Sequence, residues 1–586
     1  MPASPANLQT DIVAYDITVN GKLIQSDYQV VSIEVDRAIN RIATAKIVFQ
    51  LALDAGGDQS FLLSESDDFA PGKSIAIAVG SVSEKTEIFK GIIVNQSIRN
   101  AGDQNNEWIV RCSEASVKLS LGNRSKNFAN MTDSAIIAAV VGDHGLSCTV
   151  ESTSVKHRQL IQYQCNDWDF VVERAEANGL LVYMDAGKIT VKKPLSSGSP
   201  VLLINLGTDV IRYDFEVDSR FQLSSVTCSA WDSKTLKMVD SQSAEPALSP
   251  HGNLQGKKLA DGLNANPALY GASLPLEKEE TKNWADALLL KSRLAKITGT
   301  VTFFGNALPK LNTLVQLSGF GARFNGNPMV SSIRHELHSG YWQTTLGFGI
   351  HPEAYHAQRP VSAPSAGGLL PAVQGLQQGV VLKISDDPDG EYRIKVDAPL
   401  LLGNNDGIWA RLIQFYASSG KGSFFLPEPG DEVILGFLNN DPRFPVIVGS
   451  VYGTQNKPKY TPDAQNSIKA IVTKNNLKIE LDDKNKVLTI STPGGNQFVL
   501  SDKDKSILVK DQSGNKIEMT SSGISLDSIK DVNIKARGEI ILNAVQDISL
   551  SATGGNVNLD GLNVEAKAKV AASVQGTASA ELKSSG

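Results

Sequence analysis

The chain has 586 residues, too many for one hydrophobic core, so several domains are expected. Charged residues make up 20% and hydrophobic ones 41%, which excludes a disordered chain; no run reaches the ~18 apolar residues of a spanning helix. The net charge of −6 gives no electrostatic reason to expect nucleic acid or an anionic membrane surface as partner.

The first residues, "MPASPANLQTD", lack the basic and apolar segments of a signal peptide, so a flexible arm is expected over 1–10 and synthesis in the cytoplasm without general secretion. From Asp11 the pattern is strand-like, with alternating apolar positions and an Asn20-Gly21 turn. Helical spacing appears near 132–145, where Thr132 can cap, near 167–178, with Gly179 as a stop, and over 279–297. Strands surround these segments, so residues 11–350 read as a base of two β-barrels with small helical insertions. The four cysteines, Cys112, Cys148, Cys165 and Cys228, show no metal-ligand spacing and read as free thiols.

A Pro/Ser/Gly-rich linker is expected over 351–372. Residues 373–458 hold short strands separated by turns such as Asp386–Gly390 and Pro429-Gly430, the pattern of a five-stranded OB-fold. A neck over 459–466 leads to repeats filling 467–586. Units of 19–20 residues, anchored at Asn476, Asn496 and Asn515, come first. Octads follow, with apolar pairs Ile524/Leu526, Val532/Ile534, Ile540/Leu542 and Ile548/Leu550. Gly554-Gly555 adds a residue, placing Val557 and Leu559 one late, and Val564 restores the phase. The last pairs, Ala572/Val574 and Ala580/Leu582, are smaller and run toward Gly586.

Two apolar residues one apart face the same side of a strand. An octad therefore supplies one short inward-facing strand and one turn, and its eight extended residues reach only about 26 Å, too little to encircle a core. Several chains winding together would give each copy one side of a closed prism and pair every backbone edge. The number of copies does not follow from the repeat.

The segment Trp409-Ala410-Arg411, then "FLPEPGDEVILGF" and "NNDPRFPVIVGSVY", closely resembles the OB-fold signature of VgrG-type spike proteins, and "IQYQCNDWDFVVERAEANGLLVY" resembles their base-domain pattern. The resemblance assigns the OB-fold signature to Trp409, Arg411, Pro427, Glu428, Gly430, Asp431, Glu432, Phe437, Asp441, Pro442, Pro445 and Gly449. It implies a mainly β chain: a phage-hub-like base, an OB-fold neck and an intertwined trimeric C-terminal β-helix. It further implies the central spike of a contractile injection system, whether phage, type VI or extracellular. The expected partners are two sister copies, tube and baseplate proteins at the base, and a PAAR-like tip protein docked near Ala572, Val574, Ala580, Leu582 and Gly586. Contact with a target membrane would be transient. Only about ten residues separate the OB-like unit from the repeats and nothing follows them, so no lysozyme or effector domain is expected.

Enzymatic signatures are not found. The "HELH" at His335–His338 is not a zinc motif, because residues three apart on a strand point to opposite faces. Asp386, Asp387 and Asp389 read as a turn, lacking the length and final Glu of a calcium loop. Phe424, Phe425 and Phe437 read as barrel core, since a chain without a basic stripe does not suit a nucleic-acid platform. No catalytic constellation, cofactor or metal is expected. The competing function is a glycan-binding or envelope-polysaccharide-degrading tail spike. Against it stand the missing carboxylate pair and a repeat region whose one aromatic is Phe498.

Overall fold

The structure is a computed structural model that describes residues 3–5, 12–25, 27–51, 65–100, 102, 106–185, 187–402 and 406–584. It is mainly β and divides into two compact units, Met1–Gly375 with Phe437–Phe444, and Leu376–Gly436 with Pro445–Gly586.

In the first unit one antiparallel sheet of eleven strands runs through the base. From edge to edge its strands are Val210–Val217, Ile297–Phe304, Tyr341–Phe348, Val330–His338, Val30–Ala38, Thr44–Leu51, Asn106–Ser113, Lys85–Asn100, Ser74–Ser81, Val13–Val19 and Lys22–Leu23. Where two barrels are expected, the strands form one continuous sheet whose two ends cover separate cores. Ile33, Phe49, Phe69, Ile77 and Trp108 fill one; Leu202, Leu314, Val301, Phe303 and Leu346 fill the other. Alternation made this possible, since every second side chain of these strands points into a core.

The helical insertion forms a third core. Helix Asp133–Gly142 starts where Thr132 Oγ1 accepts from the Ala135 N–H, and helix Asp167–Ala177 where Asn166 Oδ1 accepts from the Asp169 N–H. Ile136, Val140, Trp168 and Val171 are buried between them and the flanking strands. Arg174 grips Asp133 with two hydrogen bonds of 2.7 and 3.0 Å. Although Asp133 is buried, these bonds, with those from His157 and Asn178, hold its carboxyl below the usual range.

Two expectations for the connecting segments are corrected. Of the arm over 1–10, residues 3–5 are tied down: Ala3 bridges Leu202, and Ser4 donates to Asp209 at 2.6 Å; 1–2 and 6–10 lie outside the described residues. The linker over 351–372 is packed rather than free. Tyr355 is buried in the helical core, its hydroxyl on Asp169 at 2.6 Å and its N–H on Glu176 at 2.7 Å. A buried aromatic ring whose hydroxyl donates to a buried carboxylate outweighs the Pro/Gly composition around it.

In the second unit, strands Gln377–Lys383, Ile394–Asp397, Ile408–Leu412, Glu432–Phe437 and Pro445–Ser450 close a five-stranded barrel over Val381, Val396, Ala410, Val433 and Ile447. Behind it a seven-stranded meander, Ile468–Val472 to Gly523–Asp527, leads into an extended tail.

Candidate assembly surface

The OB-fold signature residues serve the fold locally and do not line one cleft. Asp431 accepts from the Glu428 N–H at 2.8 Å while its own N–H returns to the Glu428 carbonyl at 3.0 Å. Gly430, at φ +93°, takes the left-handed position this turn needs between Pro429 and Asp431, and Pro427 is buried at its start. Lys395 stands over the Trp409 ring, and Arg411 is exposed. Glu432 accepts the Val451 N–H through its carbonyl. Asp441 anchors Arg443 at 2.7 Å, Pro442 follows it, Phe437 is half-buried, Pro445 is buried and Gly449 half-buried in the last strand.

The other polar clusters are also occupied. Asp387 accepts from the N–H groups of Asp389, Glu391 and Arg393 and from the Arg393 guanidinium, which holds its carboxyl far below the usual range. His335 is buried with Nδ1 3.0 Å from Thr344 Oγ1, whereas His338 is exposed on the opposite strand face. Phe424 and Phe425 are not barrel core. They are exposed on a hairpin that leaves the barrel, because their chain segment steps out before the strand pattern resumes at Glu432.

The meander presents a large, partly exposed apolar surface. Its strand register sets Ile471, Ile479, Ile490, Phe498, Val509, Ile517 and Leu526 each directly opposite the next. A second row, Leu481, Leu488, Leu500, Ile507, Met519 and Ile524, lies two residues away on the same face. The reverse face carries Glu480, paired with Lys478 and Tyr460, and Glu518, paired with Lys516.

The hairpin turns repeat every nineteen residues. Thr473, Thr492 and Asp511 each donate their N–H to the carbonyl four residues on, and Asn476, Gly495 and Gly514 take positive φ just before that acceptor. The sequence anchors Asn476, Asn496 and Asn515 gave 19–20 because Asn476 corresponds to Gly495 rather than to Asn496. Lys486 and Lys505, both at positive φ, mark the opposite turns with the same pitch.

Strand Gly523–Asp527 closes this sheet and begins the octads, since Ile524 and Leu526 end both ladders and form the first apolar pair. Beyond it the chain runs extended with bends at 529–530, 537–538, 545–546, 553–555, 561–562, 569–570 and 577–578. The spacing is eight throughout, and the wider bend at Gly554-Gly555 absorbs the extra residue. Past Asp527 the described residues make no backbone–backbone hydrogen bond. Ile524, Leu526, Val532, Ile534, Ile540, Leu542, Ile548, Leu550, Val557, Leu559 and Val564 are each 50–75% exposed. Ala572, Val574, Ala580 and Leu582 are exposed as well, and Gly586 lies outside the described residues. In one copy, therefore, the described residues of this tail cover neither the apolar side chains nor the backbone groups.

The modules of the second unit are similar to those of VgrG-type spike proteins. Residues 377–452 match the type VI secretion system/phage-baseplate injector OB domain, and residues 486–566 match the phage baseplate V C-terminal trimerisation domain. The Alg8 N-terminal domain model matches residues 9–339, more than half of the chain, and the chain belongs to that family.

Among curated relatives, the type VI secretion system spike protein VgrG1b of Pseudomonas aeruginosa is 34% identical over 119 residues, 18% of this chain and 15% of its own. The actin cross-linking toxin VgrG1 of Vibrio cholerae is 38% identical over 77 residues, 12% of this chain and 7% of its own. The chain thus spans less than a fifth of the length of these relatives. The 43 kDa tail protein of prophage MuSo2 from Shewanella oneidensis is 13% identical, with 58% of this chain and 99% of that one covered at a TM-score of 0.45. No described helix is long and apolar enough to cross a membrane.

Proposed function

We propose that three copies of this chain wind their 467–584 segments about a common axis, and that the resulting prism is the force-bearing stem of the injection particle. The observation that carries this reading is the octad tail, where a repeating apolar face and an unpaired backbone coincide over more than fifty residues. Neighbouring copies satisfy both needs at once, and the match of residues 486–566 to a trimerisation domain supports three as the number.

In this reading the base joins the tube and baseplate proteins, and residues 572–586 carry a PAAR-like tip protein. Sheath contraction then drives the rigid stem through a target envelope. Force passes through closed β-structure, and no catalytic step is required. The particle is assembled from protein made in the cytoplasm and acts outside it.

Deleting 572–586 should leave the trimer mass unchanged and abolish capture of a purified PAAR protein. Loss of the trimer on that deletion, or unchanged capture, would overturn the assignment of the tip. Peptidoglycan or polysaccharide cleavage by the purified full chain would favour the enzymatic tail spike instead.

A further inference from the structure

Between strands Ile408–Leu412 and Glu432–Phe437 the barrel extends an arm. Its hairpin pairs Ala417–Ser418 with Lys421–Gly422. The Ser423 N–H donates to the Tyr416 carbonyl at 2.9 Å, Gln414 Nε2 to the Phe425 carbonyl at 2.9 Å, and Ser423 Oγ to Gln414 Oε1 at 3.0 Å. Gly422, at φ +140°, lets the two strands close, since a Cβ there would meet the Tyr416 carbonyl oxygen at 2.5 Å. The arm is therefore shaped by its own bonds, yet it holds four aromatic rings in solvent. Phe415 is 88% exposed and Phe424 79%, with Tyr416 and Phe425 more than half exposed.

We infer that this aromatic arm seats on the barrel of a second copy of the chain, forming a collar contact separate from the stem. The inference rests on the trimeric reading above. Aromatic side chains bury about 150–250 Å² each, so four of them could supply much of one side of a standard interface of about 800 Å² per partner. The arm is continuous with the stem surface: its return segment places Glu428 3.0 Å from Lys474 in the first stem turn.

In a ring of three each copy meets its neighbour through two different patches, so the arm must contact something other than another arm's identical face. The barrel offers such a patch. Leu376 and Val448, both exposed, flank Gly436, where a Cβ would stand 3.6–3.7 Å from their methyl groups, so the glycine keeps this patch low. Nucleic-acid stacking is the less suited occupant, because Lys421 is the arm's one charged residue and Glu428, Asp431 and Glu432 follow it.

The test places a photo-cross-linking benzoylphenylalanine at Phe424 of the full chain, with the same label at exposed Tyr392 as control, and reads solution mass alongside. Expected are gel bands of two and three chain masses from the Phe424 label, mapping to peptides containing Leu376 or Val448. Leu376→Asp combined with Val448→Asp should abolish those bands while the mass stays trimeric. A trimer whose Phe424 label reacts only within its own chain would overturn the collar contact and leave the stem reading intact. So would a trimer whose label captures an oligothymidylate probe in preference to a second copy. A single-chain mass would overturn both readings, and the mass measurement identifies that case.

Discussion

The base and the stem solve the same problem of alternating strands in opposite ways. In the base, Ile33, Phe49 and Trp108 are inside because eleven strands of one chain fold over them. In the stem, the same kind of alternation leaves Ile540, Leu542 and Ile548 in solvent; in the proposed trimer, one copy supplies only one wall. Alternation specifies which side of a strand is apolar. Whether that side is covered by the same chain or by a sister chain depends on how far the chain can reach before it turns. Six-residue extended runs between bends cannot reach around, whereas strands of seven to sixteen residues in the base can.

The sharpest way to break the comparison is to charge the stem face. Ile540→Asp with Leu542→Asp would enclose six carboxylates in the prism, each costing several kcal/mol without a partner, on the order of the penalty for breaking a buried ion pair. The trimer should be lost while the base still unfolds cooperatively; a trimer that persists would contradict the stem reading. The converse substitution, Trp108→Ala, should remove about 3–5 kcal/mol from the base and leave the mass trimeric, as read by denaturant melts beside light scattering.

Acid should separate the two regions more gently. All seven histidines precede residue 357, so the stem has none. Burial holds His335 down at about 3 and His251 at about 4, with the nearby charges of Arg37 and Lys296 adding to the effect. Their unfolded forms take up a proton near about 6.5. Between those values the unfolded state binds protons that the folded base refuses, so base stability drops as the pH is lowered, by about 1.4 kcal/mol per pH unit for each histidine. Burial raises Glu114 to about 7, which works in the other direction: its contribution is complete below the ordinary carboxylate range and is lost as pH rises through 7. With two groups against one, the base should melt earlier at pH 5 than at pH 7. In the stem, Asn485 and Asn515 hold Asp482 and Asp511 below the ordinary range, so their contribution is lost only as pH falls below it. A base whose melting temperature is flat over this interval would count against the buried neutral histidines. The smallest expected effect is Thr132→Ala, which removes the cap from helix Asp133–Gly142 and should cost the base about 1 kcal/mol with no change in mass.

Much of this organisation could be read before the structure, and what could not has a physical reason. The octads were readable because a bend every eight residues leaves a periodic trace in composition, and the OB and spike resemblance rested on the Trp409–Gly449 segment. The nineteen-residue pitch is blurred in the sequence because Asn and Gly both take the left-handed turn position, so residue type pairs Asn476 with Asn496 although Gly495 is its structural counterpart. The exposed arm was missed because consecutive aromatics such as Phe424-Phe425 carry no alternation, and a hydrophobic residue without a partner in its own chain looks like core. The packed linker was missed because composition speaks for Pro and Gly around Tyr355 and is silent about a single buried ring. The continuous sheet of the base depends on pairings between strands about 300 residues apart, such as Val30–Ala38 with Val330–His338, which local pattern does not encode.

Solution mass of the intact chain at micromolar concentration tests the central claim most directly. The account predicts a particle of three chain masses that persists on dilution. A stable, well-ordered particle of one chain mass, with residues 524–584 resistant to proteolysis, would contradict it.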